Sequence, residues 1–476
     1  MLDIEGFRRA GYAAIDAICE YYARLDDLPV QAQVQPGFLM KQIPDSAPEE
    51  GEEWSAIDRD FHKIIMPGMT HWQSGMFAAY FPGNATFEGS LADLYASSVS
   101  NPGFNWSCSP SCTELELITV DWWAKVLGLD PAFQSNVPGS QGGGIIHGSA
   151  SEVCITIAIA ARERVLAELA KTIPPPTVNG SRSALPASAN GMGCDIANEL
   201  DVSRWRSDLT SRLVLYATTQ THSIAIKAAS VLGLSFRALD VQAEDAYALR
   251  AHTLKAALDE DKEAGRIPFL LVLTVGTTSS GAVDNITEVV EVAREYPNMW
   301  LHIDAAYAGT ALALPELRES SHLAAINAHA DSFSTNAHKW GLIQLECSPL
   351  HVRDRGALTR ALTVTPEIAC AKLFEIAMRD DENPFEFVAP PRWSLVVFRL
   401  NPSRIKGQSL VLDDLNRRFM DRLNARSAEL MLTQTVLPEI GVCIRYVVGQ
   451  PGLREHHVIK AFKIVKECAE ETLQAQ

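Results

Sequence analysis

The chain has 476 residues, 47% hydrophobic and 21% charged, with 29 glycines and 25 prolines; that profile excludes a disordered or fibrous protein and leaves room for a large α/β domain with smaller lobes. A formal net charge of −17 without any basic run excludes nucleic acid and anionic membrane surfaces as partners, because tracking phosphates requires concentrated positive charge, so small-molecule chemistry is expected. The nine cysteines are odd in number and scattered, the pattern of reduced thiols in a cytoplasmic protein. The closest pair, Cys108 and Cys112, lacks the second pair or histidine cluster of a metal site, and no stretch is long and apolar enough to cross a bilayer.

From Met1 to Leu25, Asp3, Glu5, Arg8, Arg9, Asp16 and Glu20 alternate with Ile4, Phe7, Tyr12, Ile18 and Tyr21, which predicts an amphipathic helix and not an export signal. Residues 1–83 form an N-terminal helical arm broken at Pro29, Pro36, Pro44 and Pro48 and closed by an aromatic-rich stretch from His71 to Pro82. Residues 84–362 alternate helical periods with short β-rich runs, among them Leu213–Tyr216, Phe269–Val275 and Trp300–Ile303; this predicts a mostly parallel sheet with helices on both faces. Inside that domain, residues 172–207 are rich in Pro, Ser, Asn and Gly and read as a surface insertion or mobile loop. Residues 363–476 give helix, strand (Trp393–Leu400), helix, strand (Gly441–Val448) and a last helix, a small α+β lobe.

Chemistry-bearing residues gather at the ends of the expected strands. Gly142-Gly143-Gly144 leads through Ser149 into a helix at Ala150-Ser151-Glu152. Ser149 and Glu152 have capping-box spacing, and the free N–H groups of Ala150 and Ser151 suit a phosphate. The turn is not a Gly-x-Gly-x-x-Gly fingerprint, which disfavours a dinucleotide. His222 and Thr277-Thr278 follow two further strands, along the edge where open α/β sheets bind ligands; an imidazole there can stack on a ring or simply cap its helix.

Asp304 closes the apolar run Leu301-His302-Ile303 and precedes the small residues Ala305 and Ala306. A carboxylate so placed needs a cation, either a helix start, an arginine, or the pyridinium N–H of pyridoxal 5′-phosphate (PLP). Lys339 lies thirty-five residues later in Ser334-Thr335-Asn336-Ala337-His338-Lys339-Trp340-Gly341. Lysine is ordinarily a solvated surface group, but one desolvated beside Trp340 is set to form an imine, with Asn336 and His338 placed to donate to a phosphate or hold a ring.

With these motifs in hand, the chain resembles the group II PLP-dependent decarboxylases, most closely those acting on aromatic L-amino acids. His147-Gly148-Ser149-Ala150-Ser151-Glu152, the His222 motif, Asp304-Ala305-Ala306-Tyr307-Ala308-Gly309 and Asn336-Ala337-His338-Lys339-Trp340 occur in that order, and Gly103-Phe104-Asn105-Trp106 and Ser109-Pro110-Ser111-Cys112 extend the likeness over nearly the whole chain. The resemblance implies a fold type I, PLP-dependent transferase-like architecture and a homodimer with active sites at the subunit interface. By matching motifs, Lys339 is similar to the Schiff-base lysine, Asp304 to the partner of the pyridine nitrogen and His222 to the stacking histidine. Ala150, Ser151 and Asn336 match phosphate contacts, and Thr278 matches a residue near the ring. Trp72, Tyr80, Phe81 and Phe104 match walls of an aromatic substrate pocket, Phe104 coming from the partner subunit. The implied activity is decarboxylation of tryptophan, tyrosine or dopa to the amine and CO2.

One departure stands out. In the family, the sequence seen here as Ala361-Leu362-Thr363-Val364-Thr365-Pro366-Glu367 leads into a mobile loop bearing a catalytic tyrosine. Here Glu367 runs almost directly into Ala371-Lys372-Leu373-Phe374, about fifty residues short, well beyond ordinary loop variation. No tyrosine lies between Tyr307 and Tyr446. The usual donor of a proton to Cα is therefore missing, which predicts slow amine release with aldehyde as a side product or an impaired enzyme, and His222 is the expected substitute donor.

Overall fold

The structure is a computed structural model that describes residues 3–101, 103, 106, 109–175, 196–362, 374, 378, 384–389, 395–404, 409–448 and 455–475. They fall into two compact units, Met1–Thr172 with Asp208–Leu358 and Ile173–Ser207 with Thr359–Gln476.

The first unit is built on a seven-stranded sheet: β1 (Gly143–His147), β2 (Leu213–Thr218), β3 (Ser235–Leu239), β4 (Ile267–Thr274), β5 (Trp300–Asp304), β6 (Ser332–Ser334) and β7 (Ser348–Val352). The spatial order is β1-β7-β6-β5-β4-β2-β3. Pairings among β2 to β6 are parallel, and β7 runs antiparallel to both β1 and β6. Every residue of β2 and β5 is buried, as a parallel sheet covered on both faces requires, which explains why these strands read as unbroken apolar runs without alternation. Leu271, Leu273, Leu301, Ile303 and Phe333 face a core closed by the helices Ala251–Glu263, Ile286–Ala293 and Leu323–His329. The mostly parallel α/β architecture expected from the sequence is the one observed.

The glycines ahead of the helix Ala150–Thr172 serve packing. A Cβ at Gly144 would collide with Val120 Cγ1 on the helix Pro110–Leu127, and one at Gly142 with the carbonyl of Ala132, so glycine lets β1 lie close against its neighbours. The helix Ala150–Thr172 starts where the capping-box spacing places it: Ser149 Oγ accepts from Glu152 N at 3.3 Å, while Glu152 Oε2 reaches one residue past the cap and accepts from Gly148 N at 2.9 Å.

Two local features go beyond what the sequence pattern announced. Residues 172–207 are not loop throughout, since a helix runs from Ile196 to Arg212; its polar, charge-rich sequence carries too little apolar periodicity to announce itself. The N-terminal helix Ile4–Ala23 is capped by Asp3 and amphipathic as expected, but no residue of it is buried, so its apolar stripe is not a core face of this chain.

The second unit carries a four-stranded antiparallel sheet of β8 (Phe385–Phe387), β9 (Leu395–Leu400), β10 (Thr433–Leu437) and β11 (Gly441–Val447), in the order β10-β11-β9-β8. The helices Ser409–Ala425 and Glu455–Gln474 belong to the same unit, and its core stacks Phe374 on Tyr446 at 3.8 Å among Phe398, Phe419 and Val465. β9 and β11 lie where the sequence places strands. The largely uncovered β10 escaped because Thr433-Gln434-Thr435 gives no apolar signal. The segment following Glu367, and with it the shortened loop, lies outside the described residues.

Candidate active site

A cavity of about 260 Å³ opens where five strands of the first unit end. Ser149, Ala150 and Ser151 reach it after β1, His222 after β2, Thr274, Gly276 and Thr278 at and beyond the end of β4, Asp304, Ala306 and Tyr307 from β5, and Asn336 and Lys339 after β6. Parallel strands deliver their carboxyl ends to one edge of the sheet, which is how positions nearly two hundred residues apart converge.

Asp304 forms the floor. Its side chain is 3% exposed, and among the described residues its one hydrogen bond is from Ala306 N to Oδ1 at 3.1 Å. Burial pushes its carboxyl above the usual range, while the Ala306 N–H and the charges of Lys339 and His222 pull it back. No arginine pairs with it among the described residues, so the helix-cap and ion-pair alternatives are not what the structure offers; the carboxylate faces the cavity still wanting a donor. A second buried carboxylate, Asp284, braces this floor by accepting from Thr274 N at 2.7 Å and Leu249 N at 2.8 Å, and burial pushes it to about 6.

Lys339 is half-buried on a short helical turn, Ala337–Trp340. Burial lowers its amine below the ordinary lysine value, and the Asp304 carboxylate opposes this. The turn is pinned from two sides: Asn84 Nδ2 donates to the Lys339 carbonyl, and His338 Nδ1 accepts from Cys347 N at 3.0 Å. That bond leaves Nδ1 without a proton in the neutral ring. His338 itself does not line the cavity, whereas Asn336 does, with its Oδ1 occupied by Ser348 Oγ at 2.8 Å and its amide N–H groups left for a ligand.

The expected aromatic walls separate. Phe81 sits over the Lys339 amine, 4.7 Å from Nζ to the ring centroid. Trp72 instead borders a second cavity of about 380 Å³, with Gln73, Gly83 and Leu345, and Tyr80 stacks on Trp72 at 5.7 Å while 85% exposed. Phe104 lies outside the described residues. His222 and Thr278 line the first cavity from its exposed rim.

Sequence reasoning missed Thr274, Gly276, Ile224 and Tyr307 as lining residues. Gly276 had a legible signal, a glycine directly after an apolar strand. It has φ +86°, and a Cβ there would stand 2.5 Å from that of Ala308, so only glycine lets the β4 exit pass the β5 exit.

A family model described as the pyridoxal-dependent decarboxylase conserved domain matches residues 36–186 and 195–369. Among curated proteins, phenylacetaldehyde synthase of Arabidopsis thaliana is 35% identical, covering 98% of this chain and 96% of its own length. L-tyrosine/L-DOPA decarboxylase 2 of Lophophora williamsii is 33% identical, covering 99% and 95%. A crystal structure of Oryza sativa TDC with PLP and tryptamine superposes with a TM-score of 0.64 at 30% identity, covering 99% of each chain. The first of these alignments spans 521 positions, so at least 45 are unfilled in a chain of 476 residues.

Proposed function

Since the chain belongs to the pyridoxal-dependent decarboxylases and is a carboxy-lyase that works with pyridoxal 5′-phosphate, we propose that its substrate is an aromatic L-amino acid and that Lys339, Asp304 and His222 carry the reaction. The observation behind this assignment is the cavity that joins a half-buried lysine, a buried carboxylate without a cation, and the N-terminus of a 23-residue helix. The donor set fits the cofactor point by point. Asp304 lacks a positively charged donor and a protonated ring nitrogen is one, while Ala150 and Ser151 sit at the positive end of the helix, where a phosphate is stabilised.

Bound there, the cofactor supplies an electron sink for the pair left at Cα when the carboxylate departs as CO2. Asp304 would keep the proton on the ring nitrogen. Lys339 would hold the cofactor through Nζ, Ala150, Ser151 and Asn336 would hold its phosphate, and Thr278 and His222 would lie beside the ring. Phe81 and, from the partner subunit, Phe104 would enclose the aromatic side chain, whereas Trp72, with Tyr80 stacked on it, borders the second cavity. His222 returns the proton to Cα.

Aldehyde formation is the second reading, and a specific observation favours it. The chain has no tyrosine between Tyr307 and Tyr446, and its relatives include a phenylacetaldehyde synthase as well as decarboxylases that release amines. Without a well-placed acid, the electron pair at Cα remains open to oxygen.

The proposal extends to a homodimer in the cytoplasm. Ile4, Phe7 and Tyr12 on the first helix and Phe87, Leu91 and Tyr95 on the helix Phe87–Val99 are exposed large apolar side chains, and a second copy would cover them. Six described cysteines are unbridged, and no helix among the described residues is long and apolar enough to cross a membrane. Sedimentation of the purified protein tests the dimer. Incubation with phenylalanine, tyrosine, tryptophan and dopa, scoring CO2, amine, aldehyde and peroxide, tests the chemistry: CO2 with amine supports decarboxylation, CO2 with aldehyde and peroxide supports the second reading, and no CO2 from any of the four refutes the substrate class.

A further inference from the structure

The Phe81 ring, assigned above to the substrate pocket, has an interaction which that role does not use. Lys339 Nζ lies 4.7 Å from its centroid, and among the described residues no side chain forms a hydrogen bond or ion pair with Nζ. The other neighbours of Phe81 make the ring a fixed platform. Tyr307 packs on it at 4.2 Å and is itself met edge-on by Trp340 at 4.9 Å; Trp340 is the residue after Lys339, so the stack returns to the turn that bears the amine.

The backbone next to Phe81 is tied to the same turn. Asn84 Nδ2 donates to the carbonyls of His338 and Lys339, while Gln73 accepts from Ala85 N at 3.2 Å and donates to the Gly83 carbonyl at 2.5 Å. The Asn84 bonds thus tie the segment that follows Phe81 to the turn that bears Lys339, and the Gln73 bonds hold the backbone on either side of Asn84.

We infer that the Phe81 face is the resting place of the Lys339 ammonium whenever Nζ is not bonded to the cofactor, and that it keeps the amine protonated there. The inference rests on Lys339 being the cofactor lysine. Its physical basis is the negative face of an aromatic ring, which favours a cation over a neutral amine and does so more strongly away from water. Burial pushes the other way, favouring the neutral amine, and the Asp304 charge sides with the ring. A protonated amine is no nucleophile, so a resting ammonium leaves the cofactor alone until its proton is removed. Phe81 is thus a positioning residue acting through Lys339.

The test uses the full-length protein loaded with pyridoxine 5′-phosphate, which occupies the cofactor site but has no aldehyde and leaves Nζ free. Competitive acetylation with acetic anhydride over a pH series, read by peptide mass spectrometry at Lys339, reports how much amine is neutral. Phe81→Leu should label about three- to tenfold faster than wild type near neutral pH, with its titration midpoint shifted down. Phe81→Trp, with a stronger ring face, should label more slowly than wild type, and Phe81→Tyr should stay close to it. Equal or slower labelling of Phe81→Leu overturns the inference. If that variant does not fold, Phe81→Trp decides: slower labelling than wild type upholds the inference, and equal or faster labelling overturns it. Borohydride reduction of the PLP-loaded wild type separates the two levels, because cofactor fixed to another lysine would refute the proposed function itself, whereas cofactor on Lys339 with ring-independent labelling would refute only the role of Phe81.

Discussion

The floor and the rim of the cavity are built on different terms. The floor is Asp304, Thr274 and Asn336, all buried, set at the ends of strands whose neighbours fix them through the backbone: Asp304 pairs in register with Thr274 on one side and Ser334 on the other. The rim is His222 and Thr278, both exposed, on turns that a single chain leaves uncovered. Burial makes the floor electrostatically demanding, since each charge there needs a named partner. Exposure leaves the rim cheap to change and dependent on what closes over it. A decarboxylase and an aldehyde-forming enzyme can therefore share one floor and differ above it.

The largest expected effect comes from the floor. Asp304→Ala should lower kcat by about a thousandfold, a magnitude seen when one preorganised electrostatic contact is removed, while PLP still binds through Ala150, Ser151 and Asn336. Asp304→Glu should recover part of the loss. Cofactor titration beside the decarboxylase assay separates binding from chemistry, and full activity in Asp304→Ala would end the electron-sink role.

The sheet behind the floor predicts a pH effect next in size. His351, fully buried with neither ring nitrogen partnered among the described residues, is held down to about 4 by burial, and His302, bonded to Ser332 and Ser334, to about 3. A histidine whose folded value lies below its unfolded value stays neutral in the native state while the unfolded chain takes up protons. Stability is accordingly undiminished above about pH 6.5 and is lost as the pH falls from there towards 4, by roughly 3 kcal/mol for His351. Urea unfolding at a series of pH values should show this slope flattened in His351→Leu. An unchanged slope would mean that His351 is protonated in the native protein.

The rim gives the third prediction. Restoring a tyrosine-bearing segment after Glu367 should raise the ratio of amine to aldehyde by about a hundredfold, the contribution of a positioned general acid, and His222→Gln in the present chain should lower that ratio. Product analysis by mass spectrometry reads both. Aldehyde-free amine from the chain as it stands, at an ordinary rate, would show that another rim group supplies the proton.

The smallest effect belongs to the junction of the two regions. Ser149→Ala removes the cap of the helix Ala150–Thr172 and should cost about 1 kcal/mol of stability, with only a modest loss of PLP affinity because the backbone N–H groups of Ala150 and Ser151 remain. Thermal unfolding with and without PLP measures both, and an affinity loss far beyond the stability loss would place the hydroxyl itself on the phosphate.

Where the sequence was legible, the cause was local. Strands buried on both faces must be apolar along their whole length, so Leu213–Tyr216, Phe269–Val275 and Trp300–Ile303 announced β2, β4 and β5, and the capping box marked the start of the helix at Ala150 because its two bonds join residues three and four apart. The helix Ile196–Arg212 and strand β10 stayed hidden because neither sequence carries the apolar period of its structure. Trp72 and Phe81 were indistinguishable as aromatics of one stretch, yet one borders a separate cavity and the other faces the amine.

By itself, then, the sequence determined which residue types stand at the strand ends, a carboxylate after one apolar run and a lysine after another, because those patterns are written in neighbouring residues and their chemistry follows from side-chain type. Only the tertiary structure decided that Asp304 has no hydrogen-bonded cation among the described residues, that His338 turns to Cys347 and away from the cavity, and that Phe81 meets Lys339 from 258 positions away. Those outcomes depend on which strand exits the sheet brings side by side, a non-local property that no window of sequence contains.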